Sequence, residues 1–69
     1  MNSSILKRFS VNIKKLRAKK GWSQDELGKR AGLHRTYVGS IERNERNVSL
    51  INLERIARAF NVNPTQLIK

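Results

Sequence analysis

Residues 23–44 read SQDELGKRAGLHRTYVGSIERN, and the punctuation of that stretch sets the fold. Ser23 followed three residues later by Glu26 has the form of a capping box, in which the hydroxyl accepts from the Glu26 amide and the Glu26 side chain reaches back. Trp22 and Leu27 flank the cap as a hydrophobic staple. Leu27 and Ala31 then share one helical face, and Gly32 supplies a left-handed stop. A second short helix follows, from Arg35 to Arg43. Its apolar stripe is Leu33, Val38 and Ile41, which turns Arg35, Thr36, Gly39, Ser40 and Arg43 outward. Asn44, tolerant of the left-handed region, ends it. Two short helices joined by a tight glycine-containing turn make a helix-turn-helix over about residues 23–43. Such a unit can lay its second helix in the DNA major groove, which is about 12 Å wide and admits one helix. An ordinary αα-hairpin with a solvated polar face has the same spacing, so spacing alone does not decide between them.

Working outward, Leu6, Phe9, Ile13 and Leu16 recur at helical intervals upstream, with lysines on the other faces, and Gly21 ends that segment. Downstream, residues 44–48 form a polar loop carrying Arg46. Ser49 caps a fourth helix, stapled by Val48 and Leu53, whose inward stripe is Leu53, Ile56, Ala57 and Phe60. Asn63 caps a last short helix with Pro64 in its first turn and Val62 and Leu67 as staple. Ile51 and Ile68 are left without an inward role. The expected fold is all-α: one compact five-helix domain over residues 1–69, with no strands.

Composition narrows what such a domain can do. Sixty-nine residues without cysteine and with one histidine cannot form a disulfide or a Cys/His zinc site. His34, at the start of the second short helix, reads as a surface residue. A domain this small buries only about 60% of its unfolded surface, which leaves no room for a deep substrate pocket. No apolar run approaches the roughly 18 residues of a membrane span, and no signal-peptide pattern occurs, so the default location is the cytoplasm. Fifteen Lys and Arg against five Asp and Glu give +10 and a pI near 11.3. That excess disfavours the compact state unless a polyanion relieves it, and nucleic acid is the commonest such partner. An anionic membrane is the other candidate on charge alone, because Lys7, Arg8, Lys14, Lys15, Arg17, Lys19 and Lys20 crowd the first segment with no acid among them. Basic composition together with the helix pair favours double-stranded DNA.

The run SQDELGKRAGLHRTYVGSIERNERNVSLINLERIARAF, residues 23–60, resembles the Cro/C1-type (XRE family) helix-turn-helix proteins of phage repressors and their relatives. The family pattern is approximately SQ-x-x-LA-x-x-AG, a polar helix ending in IE, a loop, and a helix of the form S-L-x-x-L-x-x-IA-x-A-L. The match extends from about Phe9 to Leu67. Within that family RTYVGSIERNERNVSL, residues 35–50, most resembles the controller proteins of restriction–modification systems, small dimeric transcription regulators that bind operators upstream of their own and the restriction gene.

The resemblance implies a phage-repressor-like fold and a set of roles. Arg35, Thr36 and Ser40 stand at base-facing positions. Ser23, at the opening of the second helix, stands at a DNA backbone position, as does Gln24, which matches a glutamine that contacts phosphate and braces the recognition helix. Tyr37 and Arg43 sit where relatives touch the DNA backbone or adjacent bases, and Asn44, Arg46 and Asn47 lie on the loop that follows the backbone. Arg17 and Glu42 match an ion pair between the first and third helices. The C-terminal region, about residues 49–69, would carry a homodimer contact in which Ile51 and Ile68 take part. Gly28 stands where alanine is usual and Asn44 where glycine is usual. Gly39 is less expected, since glycine inside a helix costs about 1 kcal/mol relative to alanine.

Other classes fit less well. The carboxylates Asp25, Glu26, Glu42, Glu45 and Glu54 have capping or pairing roles, and no nucleophile–base set, phosphate loop or metal cluster is present, so no enzyme, cofactor or small-molecule ligand is expected. A phage-type repressor or an antitoxin uses the same fold, although an antitoxin usually needs a segment beyond this core for its toxin. RNA binding lacks the exposed aromatics that stack unpaired bases, because Phe9, Trp22 and Phe60 read as structural.

Overall fold

The computed structural model describes residues 4–69, so the first three residues of the expected single-domain span lie outside it. Helices α1 (Ser4–Lys20), α2 (Gln24–Ala31), α3 (Arg35–Glu42) and α4 (Leu50–Phe60) are followed by a 3-10 turn, Pro64–Leu67. No strand occurs among the described residues. The expected fifth helix is thus corrected to a single 3-10 turn. Asn63 does cap it, accepting from the Thr65 amide, but four residues are too few to sustain an i→i−4 ladder.

The helix ends show why the elements are so short. Ser23 and Ser49 accept from the amides three residues on, at Glu26 and Asn52. The capping box is only half made: Glu26 does not reach back, because its carboxylate takes Arg30 Nε at 2.7 Å. Asn44 adopts φ 59°, its amide donating to the Ile41 carbonyl while that of Glu45 donates to Ser40, which is the paired Schellman arrangement. Asn61 ends α4 in the same way, with φ 58°. Gly32 holds φ 72°, and the next amide, of Leu33, returns to the Gly28 carbonyl. A Cβ on Gly28 would stand 2.5 Å from the Leu33 carbonyl oxygen, so the turn lies closer to α2 than an alanine would permit.

One core joins all the helices: Phe9 and Ile13 of α1, Leu27 and Ala31 of α2, Val38 and Ile41 of α3, Ile56, Ala57 and Phe60 of α4, and Leu67 of the final turn. The stripes expected from spacing supply most of it. Trp22 stacks on Phe60 with ring centroids 5.4 Å apart, and the Arg30 guanidinium covers its ring at 4.3 Å. It therefore acts as a lid on the core. The chain end is tied to α1, where Asn12 Nδ2 donates to the Leu67 carbonyl at 3.0 Å and Arg8 Nε to that of Ile68 at 3.2 Å. That tether corrects the expectation for Ile68, which is half-buried against the core instead of free. No described helix is long and apolar enough to cross a membrane.

Candidate nucleic-acid interface

Helix α3 is held from behind by polar as well as apolar contacts. Ser10 Oγ, buried in α1, donates to the Ile41 carbonyl at 2.7 Å and fixes the C-terminal end of α3. Glu42, only 4% exposed, receives Arg17 Nε at 2.7 Å and Arg17 Nη2 at 2.9 Å, a bidentate pair between α3 and α1. Arg17 Nη1 also donates to the Trp22 carbonyl, at 2.9 Å. Hydrogen bonding to Glu42, aided by its charge, raises the Arg17 pKa despite some desolvation. A carboxylate in the last turn of a helix opposes the helix dipole, and Arg17 offsets that cost. Gln24 completes the cluster: Nε2 donates to Glu42 Oε1 at 3.1 Å, joining the first residue of α2 to the last of α3.

The opposite side of α3 presents the residues singled out from the sequence. Arg35 and Thr36 are exposed on its first turn, and Arg43 on its C-terminal end. Ser40 is half-buried, and its hydroxyl donates to the Tyr37 carbonyl at 2.8 Å, within its own helix. Gly39 is not outward-facing as expected but buried, and it lies beneath the side chains of Gln24 and Arg43. Tyr37 is half-buried and bridges elements: its hydroxyl accepts from Asn52 Nδ2 of α4 at 3.1 Å, and the Arg46 guanidinium lies 5.8 Å from its ring centroid. The loop carrying Asn44, Arg46 and Asn47 is thereby laid beside α3. Ser23, at the N-terminus of α2, uses its hydroxyl on its own helix.

Two residues have roles, and a third an exposure, that the sequence reading does not assign. His34 caps α3, its Nδ1 accepting from the Thr36 amide at 3.0 Å, and its place just before the first helical residue was the available signal. Asn52 orients Tyr37, which no local pattern announces. Leu50 is 82% exposed beside Ile51 at 67%.

Charge is distributed unevenly. Each of the five carboxylates pairs with a cation: Glu42 with Arg17, Asp25 with Lys29, Glu26 with Arg30, Glu45 with Arg43 and Glu54 with Arg58. Four of these pairs are exposed, of the kind worth under about 1 kcal/mol each. Arg35, on the first turn of α3, and Arg46, on the loop beside Tyr37, are among the cations with no carboxylate partner among the described residues.

A family model described as helix-turn-helix matches residues 13–67. A hypothetical transcription factor of Neisseria meningitidis is 46% identical over 60 residues, 87% of this chain, which spans 57% of that relative's length. The control protein C.BamHI of Bacillus amyloliquefaciens is 41% identical over 69 residues, covering 99% of this chain and 85% of its own. The crystal structure of the restriction-modification controller protein C.AhdI from Aeromonas hydrophila superposes with a TM-score of 0.86 at 44% identity, covering 90% of this chain and 94% of that one. The fold, the braced second helix and these likenesses agree: the chain belongs to the helix-turn-helix family, of the Cro/C1 (XRE) type, and within it is similar to the restriction–modification control proteins.

Proposed function

We propose that this protein is a sequence-specific, double-stranded DNA-binding transcriptional regulator that acts in the cytoplasm as a dimeric controller of a restriction–modification operon. The observation that carries the reading is α3 itself: a helix anchored by Glu42, Arg17 and Gln24 that exposes Arg35 and Thr36 beside Arg46, which has no carboxylate partner among the described residues. Short polar side chains on a rigid backing suit base edges, and flanking cations suit phosphate. The likeness to C.BamHI and C.AhdI supports the controller role. Band shifts comparing a selected duplex, its single strands and structured RNA test the partner. Duplex preference is expected, and equal binding to all three would overturn it.

Arg35 is assigned a base contact. Arg35→Ala should cost about 1–3 kcal/mol and relax preference at one base pair, as loss of a bidentate contact to guanine would. Thr36→Ala should cost less. Binding-site selection with each variant reads this directly, and an unchanged preference for Arg35→Ala would sink the assignment.

Arg46 is assigned to phosphate, because it sits on the loop beside α3 and is held over Tyr37. Arg46→Ala should weaken binding to all duplexes alike and reduce the slope of log K against log salt by about one unit. A loss confined to the preferred site, with the slope intact, contradicts it.

A further inference from the structure

Gly39 occupies the middle of the proposed DNA-facing side of α3, one turn from Arg35 and one turn from Arg43. It is nevertheless buried, covered by one side chain from α2 and one from the end of its own helix. A methyl built at this position would stand 3.0 Å from Arg43 Nη1 and 3.2 Å from Gln24 Oε1. Both distances are tighter than an ordinary van der Waals contact between such atoms.

Each of the two covering side chains has a partner of its own. A carboxylate only accepts, so the Gln24 amide nitrogen must face Glu42, which turns its oxygen to the Gly39 side. Arg43 Nε pairs with Glu45 at 3.1 Å in an exposed contact, and its Nη1 lies across Gly39. The surface at mid-helix is thus made by an acceptor from α2 and a donor from the end of α3.

We infer that Gly39 is a specificity-determining position that acts through its lack of a side chain. By leaving a seat for Gln24 and Arg43, it lets them present the hydrogen-bonding groups that meet DNA at the middle of the recognition helix. The inference rests on the DNA-binding reading above and adds a positioning role for Gly39 and Glu45. A side chain at 39 displaces Arg43, whose guanidinium end is free to swing, and presses on Gln24, which Glu42 tethers.

The test is Gly39→Ala, because alanine is the better helix former and a purely structural effect should leave the melting temperature unchanged or raised. Duplex selection and titration should show binding to the preferred site weakened about tenfold, with preference altered at the base pairs facing mid-helix. In a Gln24→Ala/Arg43→Ala background the same substitution should change binding by no more than about twofold, since nothing remains to displace. Unaltered preference and affinity in Gly39→Ala overturn the inference. So does an equal loss in the double-variant background, which would mean that the methyl itself blocks DNA. Should Gly39→Ala fail to fold, Glu45→Gln and Arg43→Ala in the otherwise unchanged chain take its place. Both are exposed at the surface, and preference unshifted in both overturns the inference as well. If the unsubstituted chain selects no duplex, the DNA-binding reading falls, and this inference with it.

Discussion

Arg17→Ala should destabilise the domain by about 3–5 kcal/mol, the range for stranding one member of a buried ion pair. The two partners differ in a way that fixes the order of effects. The Glu42 side chain is 3% exposed and that of Arg17 22%, so losing Arg17 leaves a buried carboxylate with only the Gln24 amide. Losing Glu42 leaves a guanidinium that reaches water and keeps its bond to the Trp22 carbonyl. Glu42→Ala should therefore cost less than Arg17→Ala. Replacing both with apolar residues of similar size should cost less than the first alone, because no charge then remains buried. Domains carry roughly 0.05–0.15 kcal/mol of stability per residue, so Arg17→Ala removes much of what a chain of this size has. Urea melts of the four proteins measure this. Equal destabilisation in the Arg17→Ala and double variants would falsify the coupling.

The same cluster shows which parts of the molecule were legible in the sequence. Caps at Ser23, Gly32, Asn44, Ser49 and Asn63 are local: each depends on backbone groups within about five residues, so residue type and spacing suffice. The stripes of α2, α3 and α4 followed for the same reason. What failed depends on partners distant in the chain. Gly39 counts as outward on a helical wheel, yet Gln24, fifteen positions earlier, covers it. Glu26 is the local exception: two neighbours compete for it, and Arg30 one turn on, with a charge-assisted bond, wins over the amide at the helix start. Ile68 looked free until Arg8 and Asn12, some sixty residues away, drew the tail back onto α1. Gln24, Arg17 and Glu42 were legible only through family resemblance, since no local rule brings together three residues from three helices.

The largest functional loss is expected from Ile51→Asp, which should give folded monomers that bind a full operator about 10²–10⁴-fold more weakly. That range is the avidity gained when a second binding event becomes intramolecular. An eight-residue recognition helix spans about 12 Å, enough for only a few base pairs and too few to be selective in a genome. Two-fold pairing doubles the site with no new chemistry, and would set two α3 helices about 34 Å apart on successive turns of the groove. The surface that fits this role is at the N-terminus of α4, where Leu50 and Ile51 stand side by side and largely exposed. A groove lined by Ile5, Leu6, Phe9, Val48, Leu50, Leu53 and Ile68 continues the patch. Exposed aliphatics scattered singly need no partner, but a contiguous patch marks an interaction surface. In a two-fold pair half-buried Ile68 would form part of the groove floor, while Leu50 and Ile51 would supply the protruding groups. Since both are at the surface, Leu50→Asp and Ile51→Asp should melt close to the parent, and sedimentation should find the parent dimeric and both variants monomeric. A parent chain that is monomeric at tens of micromolar, and that binds operator DNA as a single copy, would overturn the two-fold arrangement.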